Sequence, residues 1–306
     1  MIEKIRDWSL APVIALSMSS LFWAGNFAVG RALREVTEAV PLNYWRWFIA
    51  TIILLPFSIG PVRRSFPLIR KHWKLLLTLS ITGIAAFHVS VYHALRTTTA
   101  MNALLFQSFC PVMIIFGSRL LYRERINNLQ LAGIVISMLG VVVLLTHGQP
   151  ERLIQLQFNS GDLWMLVAII LWSAYSVMLK IKPEGISQTA LLATIAVCGV
   201  IIMTPIYLIT GSGALGIDPS FPVLAGLLYI GLFASVLAYF VWNYGVSQLG
   251  PNRAGSYLHL MPLFGAILSI LFLGEYLLAY HVAGAVFIAM GILLTHRTVK
   301  ETNAHG

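Results

Sequence analysis

The chain has 306 residues, of which 58% are hydrophobic and only 10% are charged. Soluble domains carry roughly a quarter charged residues, so too few polar side chains are present here to cover a globule of this size. With a mean hydropathy of +0.83, the composition indicates a polytopic membrane protein. The formal charge of +9 does not indicate a nucleic acid partner, because the basic residues lie in short stretches between apolar runs.

Ten apolar runs are each long enough to cross a bilayer, since a core about 30 Å thick takes about 20 helical residues. Backbone groups in lipid must pair within their own segment, and the runs are too long and unbroken for barrel strands, so the predicted fold is all-α. The first run lacks a signal-peptide cleavage pattern and is expected to remain as a span. The predicted spans are 10–30, 41–60, 75–95, 100–118, 129–146, 163–179, 188–210, 222–244, 254–273 and 279–296.

Lys and Arg are distributed unevenly between the two sets of connections. The connections on the side of the N-terminus carry 15 basic residues and the opposite side carries 4, while Arg46 lies inside a span. Because cytoplasmic loops are enriched in Lys and Arg, both termini are predicted to face the cytoplasm. The expected location is the inner membrane, with the lipid bilayer as partner.

The two halves of the sequence resemble each other when the numbering is shifted by 151. Each half has five predicted spans, and because five is odd the second half must enter the membrane from the opposite side. This predicts two inverted repeats, 1–147 and 161–306, joined by an external connector at 148–160, around a central cavity. Inverted repeats are typical of transporters that bind a substrate between the halves. The matched pairs include Pro111/Pro262, Glu124/Glu275, Gly133/Gly284 and Gly140/Gly291.

Four segments carry a family resemblance. The sequences YHALRTTTAMNALLFQSFCPVMIIFGSRLLYRERINNLQLAGIVISMLGVVVLL and NYGVSQLGPNRAGSYLHLMPLFGAILSILFLGEYLLAYHVAGAVFIAMGILL resemble the two EamA domains of the drug/metabolite transporter superfamily. LFWAGNFAVGRAL and SGDLWMLVAIILWSAYSVMLK resemble the first helices of those domains. The first repeat reads Tyr122, Arg123 and Glu124 where the second keeps the more typical Leu-Gly-Glu, so it departs from the pattern at the first two positions.

The resemblance implies a fold and a general activity. The fold is a ten-helix basket, with helices 1–4 and 6–9 around the cavity and helices 5 and 10 behind them. Many members of the family are bacterial exporters of small metabolites, including aromatic amino acids. No cofactor is implied, and one chain supplies both halves, so that a monomer can be complete.

Charged residues are scarce within the predicted spans. Arg46 can snorkel to the interface or pair with a helix-end carbonyl, or it can bind a substrate carboxylate. All eleven acids lie outside the predicted span cores, which disfavours proton-coupled export of cationic drugs through a buried carboxylate. Since only His88, His93 and His259 offer titration near the middle of the membrane, we expect weak proton dependence.

Polar and aromatic side chains recur at helical spacing on several predicted helices. Each can serve interhelical packing or line a substrate cavity, and aromatic walls suit bulky apolar ligands. The symmetric prolines Pro111 and Pro262 are candidate hinges. The candidate substrate-binding residues are Trp23, Asn26, Arg46, His88, Tyr92, Asn102, Phe106, Trp172, Tyr175, Tyr239, Asn243, Tyr257 and His259.

These observations favour a facilitative exporter of small neutral or zwitterionic metabolites, amino acids foremost, that works by alternating access. One alternative is a proton-coupled drug or metabolite efflux transporter. An intramembrane enzyme acting on lipid-linked substrates and a membrane scaffold without transport are alternatives from other classes. We predict no enzymatic activity and no metal site, because no H-E-x-x-H motif or phosphate-binding loop is present in the sequence.

Overall fold

The computed structural model describes residues 10–33, 36–124, 127–210, 216–273 and 276–296. Ten helices in these ranges are long and apolar enough to cross a membrane. The β-pairing found in the same ranges is one antiparallel bridge, between Thr37 and Ile217. The prediction of an all-α polytopic membrane protein is confirmed.

Six helices run without an interruption in their interior. The second helix of the chain is longer than its predicted span 41–60, because Arg63 and Arg64 end the apolar run but do not end the helix. These helices are α1 (Leu10–Leu33), α2 (Ala39–Lys71), α5 (Asn128–Leu145), α6 (Ser160–Met178, followed by a 3-10 turn at Leu179–Ile181), α7 (Gln188–Thr210) and α10 (Ala279–His296).

Helices α3 and α8 each contain a π-helical turn, a widened turn often found at functional sites. The two π-turns lie at Ile81–Ala85 and Leu232–Leu237, and a shift of 151 places one on the other. Helix α3 consists of Trp73–Ser80, this turn and Ala86–Thr97, and α8 consists of Phe221–Gly231, its own turn and Ala238–Leu249.

Helices α4 and α9 are broken just before their prolines. Helix α4 comprises Ala100–Gln107 and Cys110–Tyr122, and Pro111 lies in the first turn of the second piece. Helix α9 passes from Pro251–Gly255 through a 3-10 turn at Ser256–His259 into Leu260–Leu273, which begins two residues before Pro262. A proline cannot donate the backbone hydrogen bond that would bridge such a break.

The helices pack in pairs that recur between the two halves. Helix α1 packs on α8 and α9, and the equivalent helix α6 packs on α3 and α4. Likewise α2 packs on α8 and α7 packs on α3, while α2 meets α7 and α5 meets α10. All of the helices except α5 and α10 therefore surround a common centre formed by both halves.

Two polar groups define the ends of the bundle. At the Asp162 end, Asp162 of α6 bonds to Thr98 and Asn102 at the junction of α3 and α4. At the Glu124 end, Glu124 follows α4 and bonds to Lys180 and Asn252. By the distribution of Lys and Arg, the Asp162 end is the one predicted to be external.

Candidate functional site

Six aromatic side chains from α1, α2, α6 and α8 meet at the centre of the bundle. The ring centroids of Trp23 and Trp172 lie 5.0 Å apart, and those of Trp47 and Tyr239 lie 4.9 Å apart, both edge to face. Trp23 belongs to the first half and Trp172 to the second, so the group lies between the two halves. This aromatic cluster, in which every side chain is at most 6% exposed, consists of Trp23, Trp47, Trp172, Tyr175, Tyr239 and Trp242.

The two π-turns supply backbone carbonyls to this centre. In α8, the carbonyl oxygen of Ala234 accepts hydrogen bonds from Trp23 Nε1 at 3.0 Å and from Arg46 at 2.7 Å. In α3, the carbonyl oxygen of Gly83 accepts from the hydroxyl of Tyr239. Gly83 and Ala234 are equivalent under the shift of 151, so each half offers the same carbonyl to side chains of the other half.

Arg46 of α2 is completely buried beside the aromatic cluster. Its Nε donates to Ser235 Oγ at 2.6 Å, and its NH1 group donates to Asn26 Oδ1 at 3.0 Å and to the Tyr92 hydroxyl at 2.9 Å. Within the described residues these partners and the Ala234 carbonyl are all neutral. Arg46 therefore does not snorkel to the interface, and none of its hydrogen-bond partners among the described residues carries a compensating negative charge.

A small cavity adjoins the aromatic cluster, bordered by side chains of α1, α3, α4, α6 and α9. Its volume is about 20 Å³, which is room for about one water molecule. Asn26, His88, Gln107 and Trp172 are its polar lining residues. Asn26 accepts two hydrogen bonds at Oδ1, from Arg46 and from Tyr92, and no described residue accepts one from its Nδ2 group.

Two polar atoms of this lining are buried without a hydrogen-bond partner. They are Nε1 of Trp172, which can only donate, and Oε1 of Gln107, which can only accept. A buried polar atom without a partner costs about 1–3 kcal/mol of stability.

The predicted polar faces of α3 and α8 do meet at this centre. His88 lies with its ring centroid 6.0 Å from that of Tyr239, and Tyr92 bonds to Arg46. On α8, Asn243 Oδ1 accepts from the Tyr175 hydroxyl at 2.8 Å. His93, by contrast, is exposed and stacks near Trp164 outside the cluster.

Four predicted site residues lie elsewhere. Asn102 and Phe106 line a separate cavity of about 320 Å³ between α4, α5 and the connector near the Asp162 end. The hydroxyl of Tyr257 lies 2.9 Å from Nε2 of His296 on α10, and His259 lies between Ser137 of α5 and the carbonyl of Ser108. Helical spacing placed Asn102, Phe106 and Tyr257 on stripes of α4 and α9, with His259 off its stripe. All four lie on the two broken helices, away from the central cavity.

The contact of His259 joins the two helix breaks. Its Nε2 lies 2.8 Å from the carbonyl oxygen of Ser108, its equivalent under the shift of 151. Because a carbonyl only accepts, Nε2 carries the proton and Nδ1 accepts from Ser137 Oγ at 2.6 Å. Pro111 and Pro262 thus follow a pair of breaks that are tied together, and their role as hinges remains a prediction.

The expectation that no acid is buried within a span is wrong for Asp162. Helix α6 begins at Ser160, three residues before the predicted span, and Asp162 is completely buried in its first turn. Its carboxylate accepts from Thr98, from Asn102 Nδ2 and from the backbone N–H of Asn159. The apolar-run criterion missed it because the residues that cap a helix are polar.

At the Glu124 end, Glu124 forms an ion pair with Lys180. Asn252, just before the break in α9, also donates to Glu124 at 2.8 Å. Burial lowers the pKa of Lys182, which follows α6 in the same region. The repeat counterpart of Glu124, Glu275, lies outside the described residues.

Sequence reasoning left four central residues out of the predicted site. Trp47 and Trp242 were adjacent to named candidates, but in the sequence a large apolar ring indicates only that the residue packs in the interior. Ser235 and Gln107 lie in apolar runs, where a single polar residue on a core-facing side was the available signal. Their importance follows from the π-turn in α8 and the break in α4, which periodicity does not reveal.

Ten membrane-length helices around a buried polar and aromatic centre are typical of multi-pass membrane transporters. The EamA-like transporter family matches this chain twice, over residues 10–146 and 159–297. The chain belongs to this family, as the sequence motifs predicted.

Relatives of similar length carry the same general description. An uncharacterized transporter of Archaeoglobus fulgidus is 27% identical over 293 residues, covering 94% of this chain and 97% of the relative. The uncharacterized transporter YetK of Bacillus subtilis is 26% identical, covering 97% and 88%. The WAT1-related protein At3g30340 of Arabidopsis thaliana is 24% identical, covering 88% and 81%.

A solved structure shares the fold. A crystal structure superposes with a TM-score of 0.73 over 93% of this chain and 96% of that chain, at 16% sequence identity. At this identity the likeness concerns the fold alone.

Proposed function

We propose that this transporter exports small zwitterionic or neutral metabolites, with bulky and aromatic amino acids as the leading class. The observation that carries the proposal is the uncompensated charge of Arg46 beside the aromatic cluster. A carboxylate would supply the missing negative charge, since buried charges are normally paired. The aromatic cluster would offer a large apolar side chain extensive contact area.

We infer further that the two halves are inverted repeats that alternate around this centre. The glycines of α5 and α10 support this inference. A Cβ on Gly133 would approach the backbone of Gly291, and one on Gly140 would approach that of Gly284. Equivalent segments that meet in this reversed order run antiparallel, as a pseudo-two-fold axis in the membrane plane requires.

The access mechanism would be a rocking motion of the halves. The residues of the aromatic cluster are buried and the adjoining cavity is about 20 Å³, so a bulky substrate enters only if the halves separate. Separation at the Glu124 end would admit a cytoplasmic substrate, and separation at the Asp162 end would release it. With both termini in the cytoplasm, the direction of use would be export across the inner membrane.

Asp162 favours a second candidate, a proton-coupled efflux transporter. A buried carboxylate in a span is the usual carrier of a coupling proton, and Asp162 occupies such a position. Its ties to Thr98 and Asn102 hold the start of α6 to the junction of α3 and α4. Release of these ties would allow the Asp162 end to open.

Counterflow in proteoliposomes tests both candidates. We expect liposomes preloaded with L-phenylalanine to accumulate labelled L-phenylalanine at equal pH on both sides. Failure of L-phenylalanine, L-tryptophan and L-leucine to exchange would overturn the amino-acid proposal.

A pH gradient separates facilitation from proton coupling. Facilitated transport predicts that a gradient leaves the final accumulation unchanged, whereas coupling predicts uphill accumulation that Asp162→Asn abolishes. The exposed Asp218→Asn is the matched control, because Asp218 lies in a loop and bonds to Ser220. Uphill accumulation that persists in Asp162→Asn would exclude Asp162 as the proton carrier.

A further inference from the structure

We propose that Gln107, in the small cavity that adjoins the aromatic cluster, recognises the ammonium group of the substrate. The inference rests on the proposed function, because it assigns a selectivity determinant within that same site. Gln107 was not among the site residues predicted from the sequence. It lies at the cavity because α4 is broken directly after it.

The break places Gln107 at the cavity. Gln107 is the last residue of the first piece of α4, and Pro111 four residues later has no N–H to offer its carbonyl. Helices interrupted near the middle of the membrane commonly present polar groups to substrates in transporters. The side chain of Gln107 is 5% exposed and lines the cavity together with Asn26 and Trp172.

The cavity has polar groups of two kinds. Asn26, held by Arg46 and Tyr92 through its Oδ1, has an Nδ2 donor, and Trp172 has an unpartnered Nε1 donor. These two donors, together with the charge of Arg46, which is hydrogen-bonded to Asn26, suit a carboxylate. Gln107 Oε1 is the unpartnered acceptor, and it suits a donor such as an ammonium group.

Aromatic rings also line this cavity. Trp23, Phe87 and Trp172 line the same cavity, and the ring centroids of Phe87 and Trp172 lie 4.9 Å apart. The faces of such rings attract cations through their quadrupole. An ammonium group near Gln107 would therefore be stabilised without a carboxylate, which keeps the positive charge of Arg46 free for the substrate carboxylate.

The arrangement predicts which changes alter selectivity. Gln107→Leu removes the acceptor and should weaken transport of L-phenylalanine, while 3-phenylpropionate, which lacks the ammonium group, should be affected little. The ratio of kcat/KM for L-phenylalanine to that for 3-phenylpropionate should fall about tenfold or more, as expected for loss of a hydrogen bond to a charged group. Gln107→Glu should instead admit phenylethylamine, which has the ammonium group but no carboxylate.

A control variant separates recognition from general damage. Met261 lines the same cavity, and Met261→Leu changes its shape without changing polar groups, so it should leave the ratio of the two substrates unchanged. Gln107→Leu should also not lower the thermal stability, because it removes a buried atom that has no partner.

The outcomes distinguish this inference from the proposed function. If wild-type protein exchanges L-phenylalanine but Gln107→Leu changes both substrates equally or neither, the assignment of Gln107 is overturned while the transport function stands. If the wild-type protein exchanges neither compound, the proposed function itself fails. A fall in the ratio confined to Gln107→Leu supports the assignment.

Discussion

Arg46 shows at the scale of one residue how a costly group points to function. Taking a charge out of water costs several kcal/mol unless partners compensate it. Four hydrogen bonds, to Ser235, Asn26, Tyr92 and Ala234, satisfy most of the donors of the guanidinium. They leave the net charge in place, and this charge distinguishes the centre of the bundle from an ordinary packed core.

Replacing Arg46 should abolish transport through loss of this charge. We expect Arg46→Met to lower counterflow of L-phenylalanine at least tenfold, and Arg46→Lys to recover only part of it, because an ammonium group cannot reproduce the fork of donors. The exposed Arg64→Met on the same helix should remain near the wild-type rate. An Arg46→Met protein that purifies as a monodisperse species and transports normally would contradict the role of Arg46.

The residue scale also shows where sequence reasoning was limited. Trp23, His88, Tyr92, Trp172, Tyr239 and Asn243 were named from helical spacing, and the structure brings them together. The same spacing named Asn102 and Tyr257, which lie apart. Spacing is informative while a helix stays regular, and both of these residues belong to helices that are broken.

At the scale of helices, the interruptions of regular geometry supply the functional groups. The π-turns of α3 and α8 offer the carbonyls of Gly83 and Ala234 to the opposite half. The breaks in α4 and α9 face each other through Ser108 and His259. Helices α5 and α10, which have no such interruption, pack outside the centre on each other.

The contact of α5 with α10 should be intolerant of added volume. A Cβ on Gly291 would lie 2.4 Å from the backbone oxygen of Gly133, whereas one on Gly265 would meet nothing within 4 Å. We expect Gly291→Ala to lower the stability by about 1–3 kcal/mol, as is typical of overpacking. Thermal unfolding in detergent measures the difference.

Gly265→Ala is the matched control for this substitution, because it adds the same methyl group to a helix in open space. We expect it to unfold at or near the wild-type temperature. Equal melting temperatures for Gly291→Ala and Gly265→Ala would show that α5 and α10 are not packed as closely as the structure has them.

At the scale of the whole molecule, the bridge between Thr37 and Ile217 links the two halves near the Asp162 end. Thr37 lies between α1 and α2, and Ile217 lies between α7 and α8. If this end must open during transport, the two connections must separate in each cycle. Paired residues in an antiparallel bridge lie about 4.5–5.5 Å apart at Cα, which is within reach of a disulfide.

A disulfide at this bridge should arrest transport. We expect Thr37→Cys with Ile217→Cys, in a background with Cys110 and Cys198 replaced by Ala, to lose counterflow on oxidation and regain it with dithiothreitol. Each single cysteine variant should be insensitive to the oxidant. Full transport by the cross-linked protein would exclude opening at this end.

The orientation of the chain is also a property of the whole molecule. From the excess of Lys and Arg on one side, we expect a green fluorescent protein fused after Gly306 to fluoresce and an alkaline phosphatase fused there to be inactive. A phosphatase fusion after Gln149 in the connector should be active. The reverse pattern would overturn the predicted topology and the direction of export.

The sequence by itself determined the number of spans, their approximate ends and the match between the halves. These properties depend on the transfer of apolar segments into lipid and on repetition along the chain, and both can be read without knowing which helices touch. It also determined most of the central aromatic and polar residues, because regular helices keep their faces over several turns.

The tertiary structure alone decided that Asp162 is buried, that Arg46 has only neutral partners and that Gln107 reaches the central cavity. Each of these depends on which groups of other helices surround a side chain, and on π-turns and breaks that rotate one part of a helix against the next. Local periodicity carries no information about either, because burial and pairing are set by segments that lie far apart in the chain.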